Sequence, residues 1–232
     1  MGSAADYHSC RPLRLAQNRS TPIPSPSCRF AFKMRFSIFH NATNSDGCGC
    51  IRADFTGDQK INARPAEHFG FCGAANPDVT VVEYFDYNCP YCRKLAPSIH
   101  ALVKNDHKVA VVFKEWPIFG GISVYAARSA LASQWQGKYL TAHDALIGAP
   151  RLSQAADVDK ALQNAGINLA ELKRTLAAYG AQIDAILAHN NAEAHSLGMR
   201  GTPGLLVGRD VSTSIGDLAA LQIAVAEARR TP

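Results

Sequence analysis

At 232 residues, 47% hydrophobic and with a formal charge of +5, the chain is long enough to bury a sizeable core in one large domain or two small ones. No run approaches the roughly 18 consecutive apolar residues of a membrane-spanning helix. The charge surplus is uneven: residues 1–75 hold 9 Lys and Arg against 5 Asp and Glu, and residues 76–232 hold 15 against 14. Only Arg29 to Arg35 forms a basic run, so nothing in the sequence has the basic, aromatic-interleaved footprint of a nucleic-acid partner.

Residues 1–75 mix Pro, Ser and scattered Arg without helical or strand periodicity, and are read as an N-terminal segment that is mostly disordered or loosely structured. The apolar patch Phe30 to Phe39 carries two charges and is followed by no small-residue cleavage pattern, so it does not read as a signal peptide. All seven cysteines fall in the first 92 residues. A disulfide scaffold would spread its bridges through the fold. Cys10, Cys28, Cys48, Cys50 and Cys72 are therefore read as incidental, exposed thiols.

Asn76-Pro77-Asp78 marks the start of the ordered domain, expected over 76–232. Val79 to Phe85 reads as a fully buried strand of the parallel-sheet kind. A helix opening at Pro90 carries Leu95, Ile99, Leu102 and Val103 on one face, and Lys108 to Phe113 supplies the next strand. Strand, crossover helix and strand make a right-handed parallel unit. From about 120 to 197 the pattern is helical throughout and reads as an inserted subdomain of five pieces: 122–136, 138–147, 155–165, one starting at Asn168 with Glu171 in a capping box, and one through Ile183, Leu187 and Leu197 closing on Gly198. Gly204 to Val207, a turn at Gly208 to Asp210, and Val211 to Thr213 read as a hairpin, covered by a last helix over Asp217 to Arg229.

The chemistry centres on Phe85-Asp86-Tyr87-Asn88-Cys89-Pro90-Tyr91-Cys92, where two cysteines sit at a strand-to-helix junction. That context makes the pair a redox candidate. A thiolate, not a thiol, attacks disulfides, so an exchange site must stabilise charge on one accessible sulfur. Cys89 falls at the N-cap with Pro90 at the first helical position, facing unpaired N–H groups and the positive end of the helix dipole. Cys92, one turn inside, reads as the buried resolving partner. Glu83, near the end of the buried strand, is the nearby proton acceptor, with a pKa raised by desolvation. The alternative for Glu83 is a structural ion pair with Lys114 on the adjacent strand. His100, His107, His143, His189 and His195 lie on separate elements and read as satisfied or solvated side chains.

These features, together with Gly201-Thr202-Pro203, resemble the DsbA family of thioredoxin-fold thiol-disulfide oxidoreductases over about residues 77–230, and most closely the branch that includes ScsC-like proteins. The resemblance implies an α/β thioredoxin-like fold with an inserted helical subdomain, and catalysis by Cys89, Cys92 and Glu83. It further implies a cis peptide bond at Pro203, and roles for Pro90, Tyr91, Thr202 and Pro203 in tuning the site and contacting substrate. It implies protein or peptide thiol and disulfide substrates, a redox partner that regenerates the site, no metal or organic cofactor, and a periplasmic or other extracytoplasmic setting. Oxidants of this family carry His at the second intervening position; Tyr91 supplies no such charge, which implies a milder oxidant that also suits isomerase or reductase work. Two further readings use the same residues: a metal-binding or metal-chaperone module combining Cys89 and Cys92 with N-terminal thiols such as Cys48 and Cys50, and a glutathione-dependent transferase or isomerase of the same fold.

Overall fold

The computed structural model describes residues 70–230. The expectations for the earlier part of the N-terminal segment, including Cys10, Cys28, Cys48 and Cys50, lie outside the described residues. The elements in order are β1 (Gly70–Gly73), β2 (Val79–Phe85), α1 (Pro90–Asn105), β3 (Val109–Glu115), α2 (Gly121–Ser133) with a 3-10 turn at Gln134–Gln136, α3 (Tyr139–Gly148), α4 (Ala155–Asn164), α5 (Leu169–Ser196), β4 (Gly204–Val207), β5 (Asp210–Ser212) and α6 (Leu218–Arg230). Five strands form one sheet in the order β1-β3-β2-β4-β5. Only β2 and β3 run parallel, as the crossover through α1 requires. Helices α2 to α5 are inserted between β3 and β4, giving the α/β thioredoxin-like architecture with its helical insertion.

β2 is apolar along its whole length because both its faces are covered. Val79, Val81 and Phe85 join the main core with Leu95, Ile99 and Leu102 of α1 and Leu221 and Val225 of α6. Val82 and Tyr84 point to the opposite face, into a second core with Val112, Trp116, Ala194 and Met199. Strand parity therefore fixes which side each polar residue serves. Glu83 shares a face with Val81 and Phe85. Lys114, paired in register with Tyr84, faces the other way and is bonded to Glu193 of α5. The alternative reading of Glu83, an ion pair with Lys114, is thereby excluded: the two residues lie on adjacent strands but on opposite faces.

Three other expectations change. Residues 70–73, read as part of the loose N-terminal segment, form an edge strand antiparallel to β3, so the sheet begins before residue 76. Four residues rich in Gly carry too little periodicity to read as a strand. Within it Cys72 is buried and disulfide-bonded, not an exposed thiol. The fourth and fifth helical pieces are one continuous 28-residue helix, α5, whose Asn168 side chain accepts the Glu171 N–H at 3.1 Å. Gly180 does not break it. The glycine is buried, and the end of the Arg128 side chain of α2 lies over it. Gly198, with φ of 73°, ends the segment in the left-handed conformation that glycine adopts most readily.

The Lys114–Glu193 pair is almost wholly buried, with the Lys114 ammonium 5.5 Å from the centre of the Tyr84 ring. Removing one partner of such a pair strands the other charge. Lys114→Met is predicted to cost about 3–5 kcal/mol in urea unfolding. The double change Lys114→Met with Glu193→Leu should recover most of that loss, and a double variant no more stable than the single would contradict the desolvation argument.

Candidate active site

The β2–α1 junction is built by local geometry. Cys89 has extended backbone angles at the N-cap of α1, and Pro90 fills the first turn, where a missing N–H costs nothing. The Cys89 N–H donates to the Asp86 carbonyl at 3.0 Å, closing the turn that delivers the sulfur to the helix end. From the far end of the chain, the loop before β4 approaches with a cis Thr202–Pro203 peptide bond. Cys89 Sγ lies 3.1 Å from the Thr202 carbonyl oxygen, to which its thiol donates. Thr202 Oγ1 is buried on the same side, near the sulfur.

Cys89 is only 1% exposed, whereas Tyr91 is 71% exposed. The expectation of an accessible Cys89 is corrected accordingly: the Thr202–Pro203 loop roofs the sulfur, and Tyr91 is the residue of the motif that meets solvent. Cys92 is fully buried. Both cysteines are free thiols.

Their acidities diverge. The Cys89 thiol is lowered from an ordinary 9.0 to about 6, chiefly by a hydrogen bond from Cys92, and also by the Thr202 hydroxyl and the Cys92 and Tyr91 backbone N–H groups; burial opposes the shift. Cys92 is pushed far up by burial, by donating to Cys89, and by the Glu83 carboxylate. Glu83 is itself raised from 4.5 to about 8, first by burial and then by the Cys89 charge. Of the two thiols Cys89 is thus the one that ionises readily, while Cys92 and Glu83 hold their protons at neutral pH.

Several residues with no assigned role in the sequence reading complete the site. Asp86 is buried, and its carboxylate accepts from Asn88 N at 2.7 Å, Ser123 Oγ at 2.7 Å and Phe119 N at 2.9 Å, joining the cysteine loop, the β3–α2 loop and α2. Asn88 exchanges two hydrogen bonds of 3.0 Å with the Leu152 backbone, and the Arg93 guanidinium donates to the Ala149, Leu146 and Pro150 carbonyls, so the segment after α3 is tied to α1. Behind the cysteines, the Tyr139 hydroxyl donates to Glu115 Oε1 at 2.6 Å, and Tyr87 Oη pairs with His143 Nδ1 at 3.3 Å. Burial raises Glu115 to about 7 and lowers His143 to about 4. The position of Asp86 inside the motif was a usable signal, since a carboxylate between buried aromatics must find donors. Among the described residues, no group of three or more His, Cys, Asp or Glu side chains is placed to hold a metal ion, and no helix is long and apolar enough to cross a membrane.

The sequence matches the family profile described as a DSBA-like thioredoxin domain over residues 80–224. Among solved structures, a thioredoxin-like oxidoreductase from Silicibacter pomeroyi is 39% identical with a TM-score of 0.66, covering 69% of this chain and 91% of that one. The thiol-disulfide exchange protein alpha-DsbA2 from Wolbachia pipientis is 28% identical with a TM-score of 0.64, covering 68% of this chain and 86% of that one. A periplasmic thioredoxin-like protein from Salmonella enterica serovar Typhimurium is 27% identical with a TM-score of 0.58, covering 69% and 90%. The curated relatives it matches are much longer: the Na(+)/H(+) antiporter NhaA 3 of Salinispora tropica is 29% identical over 107 residues, which are 45% of this chain and 16% of the antiporter. The antiporter NhaA 1 of Salinispora arenicola is 32% identical over 77 residues, 32% of this chain and 12% of that protein. With the profile spanning more than half of its length, the chain belongs to the DsbA-like thioredoxin domain family of thiol-disulfide oxidoreductases.

Proposed function

We propose that the chain exchanges disulfides with protein substrates through Cys89 and Cys92. The observation that carries this reading is the split in acidity between two thiols one helical turn apart, with Cys89 lowered to about 6 and Cys92 held protonated. In the reducing direction the Cys89 thiolate attacks a substrate disulfide, forming a Cys89–substrate bond and releasing one substrate thiolate. Glu83, as carboxylate, takes the Cys92 proton. Cys92 then attacks the Cys89 sulfur, releasing the second substrate thiolate and leaving the Cys89–Cys92 disulfide; two electrons have passed to substrate. The oxidising direction reverses these steps, and a dithiol or disulfide partner resets the pair. Pro90 fixes the helix start, and Thr202 and Pro203 present backbone to the substrate segment beside the sulfur. Neither direction calls on a metal or organic cofactor.

An extracytoplasmic setting, like that of the periplasmic Salmonella relative, is supported by the disulfide at Cys72, since such bonds persist in oxidising compartments.

Cys89→Ser is expected to abolish insulin reduction and thiol oxidation, while Cys92→Ala should accumulate a mixed disulfide with substrate, visible by mass spectrometry under non-reducing conditions. Retained activity in Cys89→Ser rejects the assignment. The thiolate is stabilised less than that of DsbA, with a pKa of about 3.5, and somewhat more than that of thioredoxin, at about 7. Tyr91 adds no positive charge. The reduction potential is therefore expected between about −120 mV and about −270 mV. A value at the oxidising limit, measured by equilibration with glutathione, would overturn the milder-oxidant reading.

Glu83 generates a pH prediction. Because its pKa in the fold is raised from 4.5 to about 8, the group favours the folded reduced protein fully below pH 4.5, and that contribution is lost as pH rises through about 8. Over the same interval Glu83 gains the charge it needs to accept the Cys92 proton. Resolution of the mixed disulfide should therefore accelerate as pH rises through the Glu83 pKa, which in that state lies below about 8 because the Cys89 charge is gone. Glu83→Gln should flatten both profiles and slow resolution on the order of 10²-fold at neutral pH. Unchanged profiles in this variant would assign Glu83 a structural role only.

A further inference from the structure

The surroundings of the cysteine pair carry a charge pattern that disulfide exchange itself does not explain. Four segments converge there: residues 88–94, the β3–α2 loop at 116–122 tied by Phe119 N to Asp86, the segment 149–153 tied by Leu152 to Asn88, and the loop 198–204 that roofs Cys89. Together they contain Arg93, Lys94, Arg151 and Arg200 and no Asp or Glu. Elsewhere in residues 76–232 there are 11 cations and 14 acids. The net positive charge of the domain therefore falls within these four segments. Arg93 is committed to backbone carbonyls, but Lys94, Arg151 and Arg200 are exposed, and none is paired with an acid among the described residues. Beneath this face Asp86 is buried and spends its oxygens on three donors, and Glu83 is buried with its pKa raised to about 8.

The same face is apolar at its surface. Tyr91, Ile118 and Phe119 are 71%, 43% and 53% exposed, three of the six most exposed large hydrophobic side chains among the described residues. Beside them an open cleft of about 330 Å³ is lined by Asn88, Phe119, Gly121, Ile122, Arg151, Leu152 and Ser153. The loops that line it are tied together, Asn88 to Leu152 and Phe119 N to Asp86.

We propose that this face selects substrate segments in which the reacting cysteine is flanked by acidic and apolar residues, the apolar side chain entering the cleft at Phe119 and Leu152 and the acids meeting Arg151 and Arg200. This deepens the thiol-exchange reading and rests on it. Unpaired rim charges act mainly on encounter and on rejection of like-charged partners, and salt weakens them.

The test uses the full chain and short peptides with one cysteine in mixed disulfide with a chromogenic thiol, flanked by Glu and Leu, Lys and Leu, or Glu and Ser. Each kcat/KM is divided by the same variant's rate with the small neutral disulfide hydroxyethyl disulfide, so that changes in the thiol chemistry cancel. The Glu-Leu peptide is expected to exceed the Lys-Leu peptide by about tenfold, with the gap shrinking at about 0.5 M salt. Arg151→Glu with Arg200→Glu should invert the order, and Phe119→Ser should erase the advantage of Leu over Ser without touching that of Glu over Lys. Equal ratios for all peptides, or a preference unmoved by charge reversal, overturns the proposal. So does sedimentation with anionic phosphatidylglycerol vesicles that is lost on charge reversal while peptide ratios stay equal, because the cationic face would then serve a membrane surface. Absence of any exchange with hydroxyethyl disulfide rejects the underlying activity as well, and so is distinguished from failure of the selectivity alone.

Discussion

Charge on a sulfur that is 1% exposed is the constraint on which the rest of the site depends. Burial alone would push the Cys89 thiol up. The fold overcomes this with donors that arrive from three separate places: the first-turn N–H groups of α1, the Cys92 thiol one turn along, and the Thr202 hydroxyl from the loop before β4. Pro90 contributes by setting the helix start, which presents the Tyr91 and Cys92 N–H groups to the sulfur. The Cys92 contribution is reciprocal, since the bond that lowers one thiol raises the other. Asymmetry between the two cysteines therefore follows from their order along α1, without a positive side chain at position 91.

Such an arrangement works only if the loops that carry the donors are fixed, and Asp86 is where that fixing concentrates. Its carboxylate binds three N–H or O–H groups from three segments, and its carbonyl accepts the Cys89 N–H. Hydrogen bonds to a charged acceptor are each worth roughly 1.5–3 kcal/mol, enough to offset the desolvation of one carboxylate while tying α2 to the cysteine loop. Asn88 does the same for the segment after α3, using both ends of its amide on one residue's backbone. The helical insertion is thereby linked to the thioredoxin core at the active-site loop itself, which makes the insertion a candidate to shape what reaches Cys89.

Much of this was legible in the chain. A continuous apolar run followed by Cys-Pro placed β2 and the start of α1 where they are found, because those signals are local. What the sequence concealed was decided by tertiary contact. The pieces expected from Asn168 and through Ile183 proved to be one helix, α5, because its buried positions run on without interruption from Leu172 to Ala194. Cys72 looked incidental because a four-residue edge strand carries too little pattern to announce its burial. Cys89 was expected to be accessible, since nothing near it in sequence covers it; the cover comes from Thr202, 113 residues away. Lys114 stood as an alternative partner for Glu83 by proximity of strands, and parity assigned it to Glu193 instead.

That last division organises the titratable groups of the sheet. The face with Lys114 pairs opposite charges, Lys114 with Glu193, and such a pair is locked in its ionic form because either charge alone would be stranded. On the face with the cysteines, Glu83 and Glu115 are buried beside hydroxyls and thiols, and neither has a basic side chain among the causes that set its pKa; burial raises both toward neutrality, to about 8 and about 7. Acids in that condition hold a proton at little cost and release it at little cost, which a carboxylate in a tight ion pair does not. Alternation along two adjacent strands thus separates a face whose charges are paired from a face whose acids are poised near neutrality, and Cys92, whose proton the proposed exchange must remove, lies on the second.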